Sequence, residues 1–182
     1  MSNLLDFIIE CEQQLGTPID ILVNNAGIYR PEPLKRLLEI DEETYTDVMD
    51  TNLKGTYFLM QQYIKYSLIK KIPSNILNIS SCAAYEPIRG PYGLSKLGVI
   101  SLTQSYGKFF ADKGIVINGI APGVVATRMN NWKPGDPLDF KSPTGRMITV
   151  EEVSQLAIYL LSNEASQLIG ETVLIDGAWS KR

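Results

Sequence analysis

Short, mostly apolar runs that alternate with longer helical patterns constrain this chain more than any other feature. The runs cover residues 19–23, 74–79, 115–120 and 172–175. With apolar residues at adjacent positions, these runs suit strands covered on both faces, as parallel strands are, better than the every-second-residue pattern of a half-exposed sheet. The stretches between them carry apolar residues at helical spacing. Leu4, Leu5, Ile8, Ile9 and Leu15 make the first helix, stopped by Gly16-Thr17-Pro18. A long helix is expected from an N-cap at Asp41, with Glu42 and Glu43 in its first turn, to about Lys71 before Pro73. Another should run from about Tyr92 to Ala111, ended by Lys113-Gly114, and the capping box Thr149-Val150-Glu151-Glu152 opens the last. Helices alternating with short strands predict an α/β architecture with a parallel sheet. With 182 residues, 45% of them hydrophobic, the chain can bury one sizeable core, so a single domain over 1–182 is expected.

The chemistry concentrates after the second run. The strand ends in Ser80 and Ser81, a Pro/Gly-containing loop follows, and a helix opens with Tyr92 and Lys96 four residues apart. That spacing puts the phenol and the ammonium on one helix face, where both can meet one small molecule. A fixed cation beside a phenol favours the phenolate. A tyrosine so placed can give a proton to a carbonyl oxygen or take one from an alcohol while another agent moves the hydride. Taken alone, Tyr-x-x-x-Lys is also a common pattern of a helix-start aromatic and a surface charge.

Its company makes the pattern specific. Asn24-Asn25-Ala26-Gly27 closes the first apolar run, Asn52 stands in Thr51-Asn52-Leu53-Lys54-Gly55, and Pro122-Gly123-Val124-Val125-Ala126-Thr127 follows the third run. With Ser81, Tyr92 and Lys96 these five motifs stand in the order of the short-chain dehydrogenase/reductases, which the chain resembles almost throughout. The resemblance implies the C-terminal part of a Rossmann-like, doubly wound, three-layer α/β/α fold. It also implies an NAD(P)-dependent oxidoreductase that moves a hydride between nicotinamide and a hydroxyl or carbonyl of a small alcohol or ketone. The implied catalytic residues are Asn52, Ser81, Tyr92 and Lys96. The implied cofactor contacts, for NAD or NADP, are Asn25, Ala26, Gly27, Tyr92, Lys96, Pro122, Gly123, Val125 and Thr127. Family members commonly pair two helices across a two-fold axis. Apolar Tyr57, Phe58 and Leu68 on one helix and Leu102, Phe109 and Phe110 on the other therefore lead to the expectation of a homodimer or tetramer.

Three readings stay open at this level. Ser81 to Tyr92 is eleven residues, shorter than the family spacing, so Ser80 competes with Ser81, although strand alternation turns Ser80 to the opposite face. Asn52, on the buried stripe of its helix, either binds a water that relays protons from Lys96 or is a satisfied core amide. Trp132 and Phe140, in the Pro/Gly-rich stretch 127–147, either touch substrate or anchor a lid.

No two of the fourteen glycines lie two residues apart, so the family's glycine-rich turn, which seats a pyrophosphate at a helix N-terminus, is nowhere in the sequence. The resemblance thus implies a chain without its first βαβ half, in which the strand at 19–23 becomes a sheet edge. An inactive remnant, or half of a split enzyme acting through association, is the competing functional reading. The formal net charge of −3 with mixed signs gives no basic footprint for nucleic acid. The absence of His removes His-based triads and the usual zinc sites, and no metal is expected. Cys11 and Cys82 stand in no redox or metal spacing, no apolar stretch is long enough to span a bilayer, and the first residues do not read as a signal peptide. The expected compartment is the cytoplasm.

Overall fold

The computed structural model describes residues 4–30, 34–86 and 90–180. Among them are five α-helices, α1 (Leu4–Leu15), α2 (Glu42–Met49), α3 (Gly55–Lys70), α4 (Gly90–Phe110) and α5 (Val150–Leu160), and four strands, β1 (Ile21–Asn24), β2 (Ser74–Ile79), β3 (Ile115–Pro122) and β4 (Thr172–Ile175). The strands form one parallel sheet in the order β1-β2-β3-β4. Sequence order equals spatial order, so every connection is a crossover that returns the chain to the same end of the sheet. All four strands therefore finish on one side, where loops collect.

Helix boundaries follow local chemistry. Asp41 caps α2 by accepting the Thr44 N–H at 2.7 Å, and Thr149 and Glu152 cap α5 reciprocally. The helix expected to run unbroken from Asp41 to Lys71 contains a π-turn at Asp50–Lys54 between α2 and α3. Lys71 ends α3 in the left-handed region (φ 57°), ahead of Pro73. Pro31 and Pro33 lie outside the described residues, and residues Leu34–Glu39 form a 3-10 helix.

Two apolar layers sandwich the sheet. On one face Ile8 of α1, Met60, Tyr63, Ile64 and Tyr66 of α3, and strand residues Ile76, Ile115 and Ile117 form one core, which Leu22 joins. On the other face Leu77, Ile120 and Leu160 pack with Ile79, Val153, Leu156 and Ala157. Alternation along β2 and β3 separates the two sets. Beneath the strand ends a buried polar ladder crosses the first layer. Asn24 Nδ2 donates to Asn78 Oδ1 (2.8 Å), Asn78 Nδ2 to Thr103 Oγ1 (3.0 Å), and Thr103 Oγ1 to the Val99 carbonyl (2.9 Å). Every amide in it is paired, so it ties β1, β2 and α4 together rather than costing stability. Asn78, the acceptor of the Asn78-Ile79-Ser80 sequon, is fully buried here, where no glycan fits.

Candidate active site

A cleft of about 780 Å³ opens at the carboxyl ends of β1, β2 and β3. It is lined by Asn25, Ala26 and Gly27 after β1, by Ser80 and Ser81 after β2, by Tyr92 and Lys96 of α4, and by Pro122, Gly123, Val125 and Thr127 after β3. Segments far apart in sequence thus converge because parallel topology delivers each strand end to the same place. Of the catalytic and cofactor residues expected from sequence, Asn52 alone does not line the cleft.

Lys96 is the centre of this arrangement. It is 4% exposed, its Nζ donates to the Ile79 carbonyl at 2.9 Å, and it lies 5.8 Å from the Tyr92 ring centroid. Burial disfavours the charged ammonium and pushes its pKa down to about 8. Gly27 makes room for it: a Cβ added there would sit 3.2 Å from Lys96 Nζ and 3.3 Å from Asn52 Oδ1. The glycine of the Asn-Asn-Ala-Gly motif therefore suits close approach, since a Cβ there would push Lys96 Nζ and Asn52 Oδ1 aside by a few tenths of an ångström.

The two serines separate as alternation requires. Ser80 Oγ donates to the Lys96 carbonyl at 2.8 Å and is used up in fixing α4. Ser81 caps the 3-10 turn Cys82–Tyr85, its Oγ accepting the Ala83 N–H at 3.2 Å. A hydroxyl that accepts from the backbone keeps its own proton for another partner. Tyr92 is half-buried and stands edge-on to Tyr29, ring centroids 4.9 Å apart. Residues 87–89 of the intervening loop lie outside the described residues.

Asn52 occupies the middle of the π-turn and is fully buried. Its Oδ1 accepts the Ile28 N–H (2.8 Å), while Nδ2 donates to the Ile28 carbonyl (3.0 Å) and to Ser95 Oγ (3.2 Å). Ser95 in turn donates to the Tyr92 carbonyl at 2.7 Å. The side-chain amide is therefore committed to clamping the loop after Gly27 against the first turn of α4. These contacts satisfy the side-chain amide in the way a core amide is satisfied. A π-turn, common where helices serve sites, supplies the local widening that turns the amide both ways.

Neither lid aromatic lines the cleft. Trp132 Nε1 donates to the Asp136 carbonyl within its own loop at 3.1 Å, and Phe140 packs on Trp179 with ring centroids 4.9 Å apart. Both anchor the segment. The cleft instead receives Tyr29, Met129, Trp179 and, from α5, Val150, Val153 and Ala157. None was singled out in the sequence as a site residue: Val153 and Ala157 lie on an apolar stripe that reads only as core, and nothing in its spacing marks Tyr29. Among the described residues Lys96 is the one charged side chain lining the cleft, and no cluster of His, Cys, Asp or Glu could hold a metal.

With this geometry in place, likeness to known proteins is informative. A family profile described as enoyl-(acyl carrier protein) reductase matches residues 3–180. The 3-oxoacyl-[acyl-carrier-protein] reductase of Thermotoga maritima is 37% identical over 175 residues, covering 93% of this chain and 70% of that protein. The gluconate 5-dehydrogenase of Gluconobacter oxydans is 33% identical over 181 residues, covering 96% of this chain and 69% of that protein. Among solved structures, an actinorhodin polyketide ketoreductase with NADPH superposes with a TM-score of 0.87 at 25% identity, covering 100% of this chain and 74% of the other. A 4-hydroxyisoleucine dehydrogenase complexed with NADH and succinate gives 0.81 at 27% identity, covering 99% of this chain and 76% of the other. The chain spans about two thirds of the length of the curated relatives it matches. Motif order, a parallel sheet that delivers those motifs to one cleft, and matches across nearly every residue agree: this chain belongs to the short-chain dehydrogenase/reductase family of oxidoreductases.

Proposed function

We propose that this chain carries the nicotinamide and proton-transfer part of an NAD(P)-dependent oxidoreductase acting on a hydroxyl or carbonyl of a small alcohol or ketone. The observation that carries the reading is the convergence of Ser81, Tyr92 and Lys96 on one cleft, facing Asn25–Gly27 and Pro122–Thr127. The residues fit a nicotinamide riboside: Lys96 and Tyr92 offer polar groups to ribose hydroxyls, Gly27 leaves backbone room, and Thr127 sits beside Pro122–Val125 at the opposite wall. When bound, nicotinamide supplies or accepts the hydride. The chain's own residues do the rest. In the reducing direction Tyr92 gives its phenolic proton to the substrate oxygen, and in the oxidising direction it takes the hydroxyl proton. Ser81 donates a hydrogen bond to the same oxygen and fixes its position. Lys96 places a cation by the phenol and holds the ribose. Asn52 keeps the loop and α4 in register, a positioning role through Ile28 and Ser95.

The test joins residues 1–182 behind the glycine-rich part of the Thermotoga maritima relative and follows NADH and NADPH oxidation with a panel of ketones. Substrate-dependent turnover with at least one ketone is expected, and cofactor binding without turnover on any of them would sink the reading. Residues 1–182 alone should bind either reduced cofactor weakly and turn over nothing, because they contain no glycine-rich turn to seat the pyrophosphate. Each ~1.4 kcal/mol of missing contact costs tenfold in affinity. Low-micromolar binding in calorimetry would contradict that.

Assembly and location belong to the same proposal. Phe109 and Leu68 are exposed on α4 and α3, with the Tyr57 and Tyr106 rings edge-to-face, centroids 6.0 Å apart, between those helices. These faces support a homodimer or tetramer. A monomer mass in sedimentation at micromolar concentration would refute it. Neither cysteine forms a disulfide, in keeping with the proposed cytoplasmic location, and no helix among the described residues is long and apolar enough to cross a membrane.

A further inference from the structure

The turn after β4 holds an unfavourable backbone in place. Gly177 and Ala178 both lie in the left-handed region, at φ 60° and 62°, and the Cβ of Ala178 works against that conformation. The Asp176 carboxylate fixes it: Oδ1 accepts the Ala178 N–H at 2.9 Å, while Oδ2 accepts the Ser180 N–H at 2.8 Å and the Ser180 hydroxyl. Asp176 is buried, so losing any of these bonds would leave a charged oxygen underpaired. Neighbours close in on both sides. A Cβ at Gly123 would sit 2.8 Å from Asp176 Cα, and one at Gly177 would sit 2.5 Å from Thr144 Oγ1, so the turn lies between the end of β3 and the 127–147 stretch. Backbone held against its own preference by several bonds points to a side chain that has to be aimed. That side chain is Trp179, half-buried, which lines the cleft and packs on Phe140. Tyr29 and Met129 line the cleft as well, and none of the three belongs to either apolar core. Apolar surface that fills no core and faces a cleft is available to a ligand.

We propose that Trp179 is a specificity-determining residue: its ring is the wall against which a flat, apolar group beside the reacting carbon packs, which makes aryl ketones and the corresponding benzylic alcohols the substrate class. The inference rests on the proposed function. In that reading Ser81 and Tyr92 hold the substrate oxygen and nicotinamide lies along Pro122–Thr127, so the substituents of the reacting carbon take the space that remains. The contact of Asp176 with Gly123 places the Trp179 turn at the nicotinamide end of the cleft. An indole offers a large, rigid face, and ring against ring adds to simple burial. Phe140 backs that ring, ring centroids 4.9 Å apart, so little ordering is left to be done when a ligand arrives. Met129, 48% exposed and unbranched, can adapt to the shape of what enters. Among the described residues no charged side chain besides Lys96 lines the cleft, which suits an uncharged substituent.

Acetophenone and cyclohexyl methyl ketone test it, since both are methyl ketones bearing a carbon ring of the same size and only the first ring is flat. The chain has two tryptophans, so Trp132→Phe assigns the indole N–H signals of isotope-labelled residues 1–182. Millimolar acetophenone should move the Trp179 indole signal, and cyclohexyl methyl ketone should move it far less. In the protein joined to the relative's glycine-rich part, Trp179→Ala should raise KM for acetophenone about tenfold with little change in kcat, and should raise KM for cyclohexyl methyl ketone less than about threefold. Trp179→Phe, which keeps a ring, should recover most of the loss. Equal losses for the two ketones would make Trp179 a structural anchor and overturn the proposal. So would no loss for either, or a Trp179 indole signal that acetophenone leaves in place. If the indole signal moves while the joined protein reduces no ketone, the wall stands and the functional reading of Ser81, Tyr92 and Lys96 falls instead.

Discussion

In residues 1–182 joined to a relative's glycine-rich part, Tyr92→Phe should lower turnover by ~10² to 10⁴-fold, the range of general acid–base help, while cofactor affinity falls by no more than about tenfold for the one ribose hydrogen bond lost. The substitution removes one hydroxyl and keeps the ring. Its edge contact with Tyr29 and its place 5.8 Å from Lys96 Nζ survive, so folding and the cleft's shape should persist. Steady-state rates together with a calorimetric titration separate the two effects. A loss below about tenfold would remove Tyr92 from the acid–base role. Ser81→Ala on the same background should cost less, because it withdraws a positioning hydrogen bond rather than the proton source.

Lys96 carries the second large effect, and its sign follows from burial. The folded pKa lies near 8, the unfolded value near 10.5. Between these values the unfolded chain binds more protons, so stability rises with pH across that window. Below about 8 the cost of burying the ammonium is present in full. Lys96→Met removes that cost, so at neutral pH the variant should be more stable by up to roughly 3 kcal/mol, less about 1 kcal/mol for the lost Ile79 hydrogen bond. The advantage should shrink as pH climbs toward 10.5. Urea midpoints of both proteins over this range decide it, and a difference independent of pH would show that Lys96 is not held as a strained cation. The same variant should lose cofactor affinity and turnover in the joined protein. A group that costs stability where it stands, and is kept, is the pattern expected of a functional residue.

How much of this was legible in the sequence depended on whether the information was local. Tyr92 and Lys96 were readable because one helical turn fixes their shared face, and Asp41 and Thr149 because caps are decided within four residues. The edge position of β1 was readable from motif order alone. Local alternation also turned Ser80 and Ser81 to different sides, and the Ser80–Lys96 hydrogen bond shows where Ser80 points. What stayed hidden was long-range. The π-turn exists because Asn52 must reach Ile28 and Ser95, partners 24 and 43 residues away. Val150, Val153 and Ala157 read as core on a helix whose own stripe gives no hint that part of it faces a cleft. Trp132 and Phe140 drew attention by size, yet an intraloop hydrogen bond and Trp179 satisfy them.

On the proposed function, residues 1–182 hold the nicotinamide side of a cofactor site and not the adenine side. Isotope-labelled residues 1–182, titrated separately with reduced nicotinamide mononucleotide and with ADP-ribose while backbone amide shifts are followed, test it most directly. The prediction is saturable shifts with the mononucleotide, in the millimolar range given how few contacts remain. They should centre on Asn25–Gly27, Ser81, Lys96 and Val125–Thr127, and ADP-ribose should leave those amides in place. Shifts from ADP-ribose at these residues, or none from the mononucleotide, would contradict it.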